Sequence, residues 1–140
     1  MKKISSIALA LIVVLSLTGC GGKTVTCTKT EDETTSEIKA TFNGKEVTKI
    51  VMESKIEVEA DKVDTSYAFL KMAEAMYEGK TGIKVSTTKG ANSVSMKVEM
   101  EPSKLDEEVI DSMDLGETDF KNTSVEEYTK TMTEDRYTCK

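Results

Sequence analysis

Between positions 93 and 101, Val94, Met96, Val98 and Met100 alternate with Ser95, Lys97, Glu99 and Glu101. Successive side chains of a strand point to opposite faces, so this pattern describes a strand with one apolar face and one charged face. Residues 48–58 repeat it, with Ile50, Met52, Ile56 and Val58 on one side and Lys49, Glu53, Lys55 and Glu57 on the other. Ile38, Ala40 and Phe42 alternate in the same way. Such one-sided strands suit an antiparallel sheet with one face on a core and the other in water. Asn43-Gly44 lies between two of the runs and supplies the positive φ that a short hairpin requires. A second hairpin is expected around Gly90-Ala91-Asn92, joining residues 83–88 to 93–101.

Helical spacing interleaves with the strands. Asp64 is a candidate N-cap for a helix running to Glu78, with Tyr67, Leu70, Ala73, Met76 and Tyr77 on its inner face and Gly79 as a stop. Ser103 with Asp106 resembles a capping box opening a short acidic helix whose apolar side is Leu105, Val109, Ile110 and Met113. Ser124 with Glu127 repeats the device ahead of Val125, Tyr128 and Met132, and Tyr137-Thr138-Cys139-Lys140 reads as a terminal strand. The expected fold class is α+β: an antiparallel sheet built from a meander, a hairpin and a terminal strand, with helices packed on one face.

The start of the chain differs in kind. Lys2 and Lys3 precede an apolar stretch over residues 4–17, which ends in Leu17-Thr18-Gly19-Cys20. A short positive region, an apolar run too short to span a membrane comfortably and small residues before a cysteine describe a lipoprotein signal peptide. The expected division is a signal peptide over residues 1–19, a lipidated tether over 20–23 and one domain over 24–140. Cleavage between Gly19 and Cys20 would leave Cys20 to carry a diacylglycerol and fix the domain to the membrane lipid. Without residues 1–19 the chain has 17 basic residues against 25 acidic, a charge of −8, and only 21 of its 121 residues are Leu, Ile, Val or Phe. That composition borders on disorder, so the strand registers carry the argument for folding.

Of the three cysteines, Cys20 is assigned to lipid, which leaves Cys27 and Cys139. Outside the cytoplasm such a pair is expected to form a disulfide. The bridge would make the first and last strands neighbours.

Composition also excludes chemistry. The chain has no histidine, which removes Ser-His-Asp and Cys-His nucleophilic systems and most zinc and copper sites. The acidic balance argues against nucleic acid as a partner. The acidic run Asp106, Glu107, Glu108, Asp111, Asp114, Glu117 and Asp119 lacks the spacing of a calcium loop and reads as a solvated helix face. Glu53, Glu57, Glu99 and Glu101 fall on the polar sides of strands, where interleaved lysines neutralise them. The seven methionines after Cys20 fall on expected core faces and read as filler rather than as thioether ligands. No catalytic residue, metal site or cofactor is expected.

The lipobox, the Thr-rich first strand, Phe42-Asn43-Gly44-Lys45-Glu46-Val47 running into a long strand, the central helix and the Ile83/Val94–Met100 strand pair together resemble YehR-like small bacterial lipoproteins. The Cys27…Cys139 pair with its Tyr137-Thr138-Cys139-Lys140 ending resembles a subset from low-GC Gram-positive bacteria. The resemblance implies an α+β domain of unknown function and brings no catalytic residues. The expectation is a monomeric, non-enzymatic lipoprotein on the extracytoplasmic face of the cell membrane, binding an envelope protein or a small ligand. The alternatives are a carboxylate-dependent envelope hydrolase and a weak metal-binding lipoprotein.

Overall fold

The computed structural model describes residues 22–112 and 120–140. Strands β1 (Lys23–Glu31), β2 (Thr34–Asn43) and β3 (Glu46–Glu57) form an antiparallel meander. Helix α1 (Val63–Met76) then crosses to the hairpin of β4 (Ile83–Lys89) and β5 (Ser93–Met100). A 3-10 turn (Pro102–Lys104), helix α2 (Glu107–Ser112), helix α3 (Val125–Glu134) and strand β6 (Thr138–Cys139) complete the order. The sheet has six strands in the order β4-β5-β3-β2-β1-β6. This is the α+β sheet with a meander, a hairpin and a terminal strand that the residue pattern describes.

The registers preserve the alternation. Ile50, Met52 and Ile56 lie opposite Met100, Val98 and Val94, and Ala40 and Ile38 extend the same face to Val25 and Cys27. Phe42, Val94, Val109 and Cys27 are the largest fully buried side chains. The reverse face carries Thr26, Thr28, Glu37, Lys39, Glu53, Lys97 and Glu99, so the sheet has a wet side, as antiparallel sheets allow. At the β2–β3 turn Asn43 pairs with Glu46, and Gly44 alone takes a positive φ, of 63°. The turn residues are thus Gly44-Lys45, and Asn43 closes the strand.

Four sequence expectations need correction. Helix α1 starts at Val63 after Lys62, so Asp64 is its second residue; the Asp64 carboxylate instead accepts a 2.6 Å hydrogen bond from Lys89. The Ser103/Asp106 box does not form, because Pro102 starts a 3-10 turn and the backbone carbonyl of Asp106 receives the first bonds of α2, from Val109 and Ile110. Met76, expected on the inner face of α1, points outward. Met72 departs from the expected core-filler role in the same way, whereas Met100 and Met132 are buried. The Ser124/Glu127 capping box forms in full, and the backbone N–H of Ser124 donating to the Glu127 carboxylate holds that group below its usual range.

Burial pushes the Tyr128 hydroxyl up to about 12. Its oxygen finds no hydrogen-bond partner among the described residues. The unfolded phenol ionises near 10, so above that pH the unfolded state binds fewer protons and stability falls until the pH passes about 12. Tyr128→Phe is expected to raise stability by up to about 1 kcal/mol and to flatten this alkaline decline. Urea midpoints measured across pH 8–12 check both effects, and an unchanged alkaline slope in the variant would assign the decline elsewhere.

Candidate functional site

The first and last strands meet at the disulfide. Cys27 and Cys139 lie opposite one another in the β1–β6 pair, with Cα atoms 4.0 Å apart and a sequence separation of 112. Thr26 and Lys140 exchange both backbone bonds beside them, so the cysteines occupy the close, non-hydrogen-bonded position of the ladder. Lys29 lies over the Tyr137 ring at 5.4 Å and closes the same corner. Gly19 and Cys20 lie outside the described residues.

The carboxylates considered for acid–base chemistry do not converge. Glu57 pairs with Lys55 at 2.6 Å, and Glu101 with Lys104 at 2.6 Å. Glu99 is held between Lys97 at 2.8 Å and Lys49 at 3.5 Å, and the hydrogen bond from Lys97 draws its carboxyl below the usual range. Glu53 lies on the same wet face, opposite Lys97. Glu53 and Glu99 stand on the open face of the sheet, whereas Glu57 lines an open depression of about 460 Å³ with Glu33, Glu59 and Asn92. Of the acidic run, Glu108 pairs with Lys80 at 2.6 Å and Asp106 accepts from the Thr81 backbone N–H at 3.4 Å. Asp114, Glu117 and Asp119 lie outside the described residues. Among the described residues no three carboxylates or cysteines come together as metal ligands.

A more enclosed concave feature lies between α1 and the edge strand β4, a cleft of about 340 Å³. Its floor is Ile83 and Val85, and its wall is Lys71, Glu74, Tyr77 and Glu78. Glu74 accepts from both Lys71, at 2.6 Å, and Thr87, at 2.5 Å. The two bonds hold the Glu74 carboxyl below its usual range, Lys71 contributing most, and Lys71 is raised in return. The cleft is therefore an internally neutralised ion-pair site that pins α1 to the sheet, without a free charge pair for proton transfer. Gly82 sets the floor position. Its φ is 76°, and the backbone of Lys104 and Leu105 comes within 2.7 Å of where a Cβ would stand, which excludes other residues.

The outer side of α1 is the surface the sequence reading missed. Phe69, Met72 and Met76 are 68%, 61% and 69% exposed, and they are the large hydrophobics left in water among the described residues. Their spacing of three and four residues was a visible signal, a second apolar stripe beside the Tyr67–Leu70–Ala73–Tyr77 stripe.

No protein-family model matches the sequence, and no curated protein matches it. Two solved structures share its architecture. The NMR structure of the Escherichia coli YehR protein superposes with a TM-score of 0.68 at 16% identity, covering 86% of this chain and 92% of that one. The NMR structure of a protein from Streptococcus pneumoniae TIGR4 superposes with a TM-score of 0.63 at 15% identity, covering 100% of this chain and 98% of that one. At such identities the likeness is one of fold, and the chain has the fold of the YehR structure.

Proposed function

We propose that this chain is an extracytoplasmic bacterial lipoprotein, fixed to the outer face of the cell membrane by lipid on Cys20, whose domain binds an envelope protein or small ligand rather than transforming a substrate. The observation that carries this reading is Leu17-Thr18-Gly19-Cys20 at the end of a positively flanked apolar stretch. Two further features support it. A disulfide suits an oxidising compartment. Glu57, Glu99 and Glu101, three of the four carboxylates considered for acid–base work, are paired with lysines. Only Gly21 and Gly22 separate Cys20 from β1, which holds the domain close to the bilayer.

Cys20→Ala is expected to move the protein from the membrane fraction to the soluble fraction of cells and to abolish incorporation of a palmitate analogue. Continued membrane association, or labelling that survives the substitution, would overturn the anchor.

A further inference from the structure

Helix α1 has one side without charge. Thr65, Ala68, Phe69, Met72, Ala75 and Met76 are all exposed and none is ionisable, in a chain of which 31% of residues are charged. At 3.6 residues per turn these positions cover about a third of the helix circumference. The charged residues Lys71, Glu74 and Glu78 turn instead toward the β4 cleft, and Asp64 turns toward Lys89. An exposed apolar band clear of charge marks a surface that something covers.

Three observations point to the lipid surface as the occupant. The first is position. Lys23 pairs with Phe42 at the end of the sheet where Ile50 and Ile83 meet Met100, and α1 finishes at Met76, shortly before Ile83. The chain therefore enters the domain at the same end as the Met76 end of the stripe. The second is reach. Cys20 precedes Lys23 by three residues, a span of at most about 11 Å, while β1 and β4 are four strand spacings apart, roughly 19 Å. A domain held this closely can lean onto α1.

The third is charge. Residues 59–89, which contain α1 and β4, carry five lysines against five acidic residues, whereas residues 90–140 carry six basic against thirteen acidic. An anionic lipid surface repels the second segment and leaves the first, of zero net charge, free to approach. A second copy of the chain is a poorer occupant. Six side chains along one helix, three of them only Ala or Thr, form a narrower patch than the ~800 Å² per partner of a standard interface. A contact made by an already tethered domain needs no such area, because the second binding event is intramolecular.

We propose that the outer face of α1, through Phe69, Met72 and Met76, is a second membrane contact that lays the domain onto the lipid interface. The proposal rests on the lipid-anchored reading given above. Among the described residues no helix is long and apolar enough to cross a membrane, so the contact is interfacial.

The chain contains no tryptophan, so Phe69→Trp provides a single reporter. The mature chain, residues 20–140 with its disulfide intact, is coupled through the Cys20 thiol to a maleimide lipid in phosphatidylcholine vesicles. The expected result is a blue shift of the Phe69→Trp emission on coupling and its quenching by doxyl-labelled lipid. Met72→Glu with Met76→Glu should remove most of that shift, and the reporter Thr28→Trp on the wet face should show none. An unshifted Phe69→Trp emission, an equal shift at position 28, or a shift that grows with protein concentration without vesicles would each overturn the contact. The lipid is installed chemically, so a negative result here bears on α1 alone, whereas the cellular Cys20→Ala experiment bears on the anchor alone.

Discussion

Reduction of the Cys27–Cys139 bridge is expected to lower the stability of the domain by about 4–5 kcal/mol, the chain-entropy value for closing a loop of this length. The bridge joins residues 112 positions apart, so almost the whole domain lies within the loop it closes. Domains of this size are typically stable by only ~5–15 kcal/mol in total. The core here is lean, with 21 Leu, Ile, Val and Phe residues after position 19, so the loss is a large share of what exists. β6 has two residues and is held by the ladder bonds of Thr26 and Lys140 together with this covalent link. Guanidinium unfolding with and without a reductant measures the difference. A shift below about 1 kcal/mol would mean that the reduced chain keeps its ends together without the bridge.

The second large effect is expected at Phe42. Its ring is 1% exposed and meets the ring of Tyr128 edge-on, with centroids 5.4 Å apart and planes at 67°. It sits where β2 enters the turn, under α3, with the Val47 backbone N–H bonded to the Phe120 carbonyl nearby. Phe42→Ala removes the largest fully buried side chain and leaves a cavity that strands on both sides cannot close. The expected cost is about 3–5 kcal/mol. Equilibrium unfolding of the oxidised variant checks this, and a loss under about 1 kcal/mol would show that α3 collapses onto the sheet. Within this total the ring–ring contact contributes about 0.5–1.5 kcal/mol, separable by a double-mutant cycle with Tyr128→Ala.

The two variants probe different halves of one problem. The bridge acts on the unfolded chain by shortening its reach, whereas Phe42 acts on the folded core by filling it. A chain with few large apolar residues depends on both.

Much of the architecture was legible because period-2 alternation is a local property. Val94, Met96, Val98 and Met100 could face only one way once Ser95, Lys97 and Glu99 were assigned to water, and the registers bear this out. The Ser124/Glu127 box was legible for a similar reason, since its two reciprocal hydrogen bonds span only three residues. The Ser103/Asp106 box had the same spelling and failed, because Pro102 opens a 3-10 turn through Lys104 and the Asp106 carboxylate accepts from Thr81 instead.

Helix α1 shows where local reading ends. It carries two apolar stripes, one through Val63, Tyr67, Leu70, Ala73 and Tyr77 and one through Thr65, Phe69, Met72 and Met76. Hydrophobicity does not rank them. In the fold the first stripe faces the sheet, and Asp64 bonds to Lys89 and Glu74 to Thr87 on the flank toward β4. The outward second stripe, and with it the proposed membrane contact, exists only in that tertiary setting.

Strand order has the same character. A hairpin of β4 and β5 was expected, but not which of its strands would lie beside β3. The inner face of β5 is wholly apolar, whereas that of β4 ends in Thr87 and Lys89, so placing β5 inside and β4 at the edge buries more apolar surface. By itself the amino-acid sequence determined the strands and their faces, the positions of two turns and the cysteines available to pair, because each depends on neighbours a few residues away. The order of strands, the rotation of α1 and the 4.0 Å approach of Cys27 to Cys139 were decided only when distant segments competed for one small core.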